Sequence, residues 1–223
     1  MRWVIFICVL GAAACVGRGE LAFAPTADGA TIHDVWVVNF RADQEPAEGQ
    51  RSPPRPNDVK FEKYIVSVPP THTPGLITWP DGPPDAATDF VTVDSTTFDS
   101  RNSFRSAILQ DNAQHPEVLL FVHGYNTNHA EALYLSTQVR HDFEIESPSI
   151  LFSWPSAEVT AGYLYDRDSA LIARDHLEDV IVALAEERQV VLMGHSMGNF
   201  LIMEPLRQIE LPGSLDISRD ISA

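Results

Sequence analysis

Positive charge is scarce in this sequence: 15 Lys and Arg stand against 31 Asp and Glu, for a formal net charge of −16. Lys60 and Lys63 are its only lysines. A nucleic-acid partner is excluded on that ground, because no cationic surplus is present to neutralise phosphates. Adsorption on anionic lipid headgroups, which needs basic clusters, is excluded in the same way. The acidity itself serves solubility. Apolar runs are short as well, and none approaches the roughly 20 residues of a membrane-spanning helix. Internal repeats, a glycine-rich phosphate loop, a metal-ligand cluster and any other cofactor fingerprint are also missing, so no cofactor or metal is expected.

Cysteine is nearly absent, with only Cys8 and Cys15. Arg2 precedes an uncharged stretch from Trp3 to Ala14 that ends in three alanines. A positive start, a short apolar run and small residues together read as a cleavable export signal over residues 1–14. Cleavage removes Cys8 and leaves Cys15 alone, so an internal disulfide is impossible and the odd thiol needs a purpose. Ala12-Ala13-Ala14-Cys15 resembles a bacterial lipobox, which makes Cys15 a candidate lipidation site, although alanine replaces the usual leucine three positions earlier. The expected location is the periplasmic side of a bacterial envelope, with membrane contact only through that lipid. Small polar residues over 15–30 read as a tether.

From residue 31 the chain reads as one domain of ordinary globular composition, 44% hydrophobic and 21% charged. Strands are expected over Asp34–Phe40, Phe61–Val68 and Phe90–Val93, separated by proline-rich loops, with a helix over Ser103–Ala113. After residue 117 strands and helices alternate, the mark of a parallel sheet covered on both faces. Val118–Val122, Ile150–Phe152 and Val190–Met193 are the buried strands. Asn128 and Glu131 form a capping pair that opens a helix to about His141, with Ala132, Leu135 and Val139 as its apolar face. Ser169–Glu187 carries Ala173, Leu177, Val180, Ile181 and Leu184 at helical spacing. A last helix is expected over Met197–Ile209.

Chemistry concentrates in Gly194-His195-Ser196-Met197-Gly198. The motif follows an apolar strand and precedes an apolar-faced helix, where a sharp turn lifts a serine hydroxyl above the sheet. Gly194 and Gly198 avoid collisions with the adjoining strand and helix, and the helix N-terminus lends partial positive charge. One unit earlier, His123-Gly124-Tyr125-Asn126 follows another buried strand.

These two blocks, with FVHGYNTNHAEALY, LFSWPS, GYLYDRDSA, VVLMGHSMGNFLIMEPLRQ and the upstream SVPPTHTPG, resemble a group of bacterial α/β hydrolases, often exported and largely without assigned substrate. The resemblance implies an α/β-hydrolase fold with a mostly parallel sheet flanked by helices. It implies Ser196 as nucleophile, and the backbone amides of Tyr125 and Met197 as the oxyanion hole for a small ester or acyl substrate. His123 and His195 are not expected to act as base, the first because that loop is structural and the second because the turn points it away. Trp154, Tyr163 and Tyr165 are either pocket walls or part of a structured loop in which Asp166 or Asp168 caps the next helix. In such hydrolases an acid and then a histidine follow the nucleophile. All eight histidines here precede Ser196, and the later acids Glu204, Glu210, Asp216 and Asp220 follow no recognisable strand. The expectation is therefore an incomplete domain over 31–223 that lacks its C-terminal strands and leaves Val190–Met193 as an edge. A serine hydrolase is the leading reading, and a non-catalytic exported binding or envelope protein is the alternative.

Overall fold

The computed structural model describes residues 18–42, 53–56, 58–111 and 115–209. The export signal, Cys15, Glu210, Asp216 and Asp220 lie outside the described residues. Six strands form one sheet: β1 (Thr31–Asn39), β2 (Lys60–Val68), β3 (Val91–Phe98), β4 (Glu117–Val122), β5 (Ser149–Ser153) and β6 (Gln189–Gly194), in the order β3-β2-β1-β5-β4-β6. Four helices flank it: α1 (Arg101–Gln110), α2 (His129–Asp142), α3 (Tyr163–Ala185) and α4 (Met197–Ile209). Strands β1, β5, β4 and β6 run parallel, while β1-β2 and β2-β3 pair antiparallel. The result is an α/β fold with a mixed sheet. Its parallel half carries the expected alternation of strand and helix.

Strand pleating sorts the core into two layers. Trp36 and Val38 of β1 face the side covered by α1, α3 and α4, with Leu120, Ile150, Phe152, Leu177 and Leu201. Val35 and Val37 face the other side, under Leu133 and Tyr134 of α2. Continuous apolar runs in β4 and β5 follow from this, since both of their faces are buried. Among the described residues β6 pairs only with β4; its Val191 is 37% exposed, and Phe200 and Met203 of α4 are 41% and 49% exposed.

Element boundaries depart from the sequence reading where polar residues conceal structure. Strand β3 runs on through Asp94–Thr97, whose residues are exposed but whose backbone pairs with β2. Helix α3 begins six residues early, at Tyr163 rather than Ser169. Helix α2 buries Leu133, Tyr134, Ser136, Thr137 and Gln138 as well as Ala132, a wider face than the Ala132, Leu135, Val139 stripe. Its capping box is present, Glu131 N donating to Asn128 Oδ1 at 2.8 Å and Asn128 N to Glu131 Oε2 at 2.9 Å. From Arg18 onward the segment read as a tether lies against the domain. Phe23 bridges to Thr92, and Arg18 reaches Asn126 and Glu131. Among the described residues, no helix is long and apolar enough to cross a membrane.

Candidate active site

The parallel strands end together at one side of the sheet, and the motif serine stands there. Strand β6 closes at Gly194, and His195 N still bonds to Val122 O at 3.0 Å. Helix α4 starts at Met197, so the whole reversal falls on Ser196, which adopts φ +53° and is exposed. A serine held in the left-handed region costs on the order of 1 kcal/mol or more, and such strain gathers at functional turns. Both glycines flanking the turn are closely packed. A Cβ on Gly198 would sit 2.2 Å from Val122 O and 2.6 Å from His123 O. One on Gly194 would fall 2.7 Å from Asn199 N. Gly124 lies directly against the turn, its would-be Cβ being 2.7 Å from His195 Nδ1 and 3.1 Å from Ser196 Cβ. The loop after β4 and the serine turn are therefore in contact, as Tyr125 and Met197 require if both are to face one oxygen. Met197 opens α4, and its N–H has no carbonyl one turn back within the helix to accept it.

Three side chains fix the 124–128 loop from different directions. Asp166 is fully buried and accepts from Asn126 N at 2.8 Å, Ala157 N at 2.6 Å and Ser156 Oγ at 2.8 Å. It ties the loop to the segment after β5 and does not merely cap α3. Asp168 pairs with its neighbour Arg167 on the surface. Arg18 holds Asn126 through Oδ1 at 2.7 Å and its carbonyl at 2.9 Å. Buried Arg41 donates to Thr127 O and His123 Nε2, both at 2.8 Å, to Ser153 Oγ at 2.7 Å and to Glu158 Oε1 at 3.1 Å. Burial pulls its pKa down to about 10, opposed chiefly by Glu158, so the guanidinium stays charged at neutral pH.

His123 is part of this scaffold. It is fully buried, its ring lies parallel to Trp154 at 4.9 Å, and Nδ1 sits 2.9 Å from Gly124 O. Trp154 N donates to Nε2 at 3.0 Å and the indole nitrogen to His123 O at 2.9 Å. Desolvation, reinforced by Arg41, holds its pKa well below the ordinary histidine value. A neutral ring with both nitrogens engaged is a brace and not a base. Trp154 is correspondingly buried and no pocket wall. Tyr165 donates to Pro53 O at 2.8 Å beneath Arg55. Tyr163 is 53% exposed and packs edge-on against Tyr125 at 5.5 Å, which keeps it beside the site. His195 is exposed.

Residues 98–222 match the model of a family described as alpha/beta hydrolase of unknown function (DUF900). The chain belongs to this family. The matched stretch opens at the end of β3 and includes both the serine turn and the loop that faces it. No curated protein and no solved structure matches the chain.

The buried ring of His123 and the half-buried ring of His129 add to the acid sensitivity of this hydrolase fold. Desolvation, and then Arg41, lowers the pKa of His129 to about 3, against about 6.5 unfolded. His123 is displaced in the same direction. For both, the native state binds fewer protons than the unfolded chain. Their contribution is complete above pH 6.5 and is lost as pH falls below it, through about 3 for His129, at up to about 1.4 kcal/mol per pH unit for each group. Denaturant midpoints should therefore drop steadily from pH 7 to pH 5. A flat profile would show that these rings protonate in place.

Proposed function

We propose that the chain is a serine hydrolase for a small carboxylic-ester or related acyl substrate, with Ser196 as nucleophile. The observation that carries this reading is the exposed serine at φ +53° between β6 and α4, in contact with the Gly124 loop. Ser196 Oγ attacks the acyl carbon, the carbonyl oxygen becomes an oxyanion, and the Tyr125 and Met197 amides receive it. Donors aimed at charge that appears only in the transition state are worth about 10²–10³ each in rate. Collapse expels the alcohol and leaves an acyl-enzyme, which water hydrolyses. The serine must lose its proton, and neither His123 nor His195 is suited to take it.

Export and lipidation at Cys15 belong to the same proposal. Two residues separate Cys15 from Arg18, which binds the Asn126 loop. A lipid there would hold Arg18 within about 10 Å of the anchored residue, the reach of three extended Cα–Cα steps.

Fluorophosphonate labelling of the protein as expressed from its gene tests the reading. The expected result is a single adduct on Ser196 that vanishes in Ser196→Ala. No adduct in either protein would favour the non-catalytic binding or envelope protein, which would keep the fold without the chemistry.

A further inference from the structure

A second cluster of reactive side chains lies at the other end of the sheet. His33 enters β1, His72 sits in the loop after β2, and His141 and Asp142 form the last turn of α2. Pairing places Val38, Phe152, Val122 and Gly194 in one row across the parallel strands. His33 is five residues below that row and Ser196 is beyond it, so roughly 20 Å separates them along the strands.

His72 Nε2 lies 2.6 Å from Asp142 Oδ1, and Gly75 N steadies the other carboxylate oxygen at 2.8 Å. The His72 and His141 rings meet edge to face at 5.1 Å. One donor atom from each of His72, His141 and Asp142 falls within 4.8 Å of the others. His33 Nε2 is 3.1 Å from His141 Nδ1. The His72 side chain is only 5% exposed, yet its Nδ1 is buried with no hydrogen-bond partner. Two imidazoles and a carboxylate, from the loop after β2 and the end of α2, bring three donor atoms together in the arrangement a divalent ion takes.

We propose that His72, His141 and Asp142 bind one zinc-class divalent ion, with His33 orienting the His141 ring. Nitrogen donors favour Zn²⁺ over Mg²⁺ and Ca²⁺, which take oxygen ligands. Tetrahedral bonds of about 2.0–2.1 Å put ligand atoms about 3.3 Å apart. The 2.6 Å pair opens and the wider separations close by about an ångström or so, within the reach of side-chain rotation. The ion joins the loop after β2 to the end of α2, keeps its fourth position for water, and lies too far from Ser196 to take part in chemistry there. A partner that orients a metal-bound histidine commonly contributes 10–100-fold in affinity.

The test is Zn²⁺ titration of the purified protein by calorimetry, carried out in a Cys8→Ser, Cys15→Ser background so that no thiol competes. Expected are one ion per chain, a rise in unfolding temperature that EDTA reverses, and an intense four-coordinate visible spectrum with Co²⁺. His141→Ala and Asp142→Asn should each lose at least 100-fold in affinity, His33→Ala 10–100-fold, and His115→Ala nothing. Both His141 and Asp142 reach the surface, so these variants should keep the wild-type circular dichroism. No stoichiometric binding, or equal binding by His141→Ala, Asp142→Asn and the background protein, would overturn the proposal.

Discussion

Arg41→Met should destabilise the domain by about 3 kcal/mol or more, because a buried guanidinium is withdrawn from acceptors that are themselves buried. Methionine fills much of the space but offers no donor. Ser153 Oγ, His123 Nε2 and Thr127 O would each lose a charged hydrogen bond, and Glu158 its counter-ion. Leaving buried acceptors unmade costs about 1–3 kcal/mol apiece before any relaxation. Arg41→Lys should recover little, because one ammonium cannot reach four partners that a planar fork serves together. Chemical unfolding of the three proteins at pH 7 measures this. A loss under 1 kcal/mol for Arg41→Met would mean that water replaces the guanidinium and that the 124–128 loop is held by Asp166 and Arg18 alone.

Gly198→Val carries the second large effect. Its Cβ would enter at 2.2 Å from Val122 O, a contact with backbone at the end of a central strand that no rotamer change relieves. Either α4 lifts off the sheet or β4 shifts, and overpacking of this kind costs about 3 kcal/mol or more. Either movement also separates Ser196 from the Gly124 loop, so phosphonate labelling should fall even in the fraction that stays folded. Thermal unfolding and labelling rate, measured on one sample, read the two effects separately. A folded variant that labels at the wild-type rate would show that this glycine is not holding helix and strand together.

Patterns local in sequence were legible before any coordinates. The continuous apolar runs of β4, β5 and β6, the Asn128–Glu131 box and the GHSMG turn each need only a few neighbouring residues to declare themselves. The start of α3 did not show, because Tyr163–Asp168 is polar and resembles a loop until Asp166 is seen folded inward. The scaffold behind the site was hidden for a different reason. Arg41 and Glu158 are 117 residues apart, and Asn126 and Asp166 are 40 apart, so no spacing rule joins them. A buried arginine is recognised only once the fold surrounds it. His33, His72, His141 and Asp142 converge from three segments in the same way, which is why a scan for short ligand spacings finds no metal set.

The proposed chemistry depends on one arrangement, in which the Ser196 hydroxyl faces the amides of Tyr125 and Met197 across the turn. A crystal structure of the phosphonate adduct measures it directly. The adduct should sit on Ser196 Oγ with its phosphoryl oxygen about 2.7–3.1 Å from both nitrogens. Modification of a different residue, or a phosphoryl oxygen on Ser196 directed away from those two amides, would contradict it.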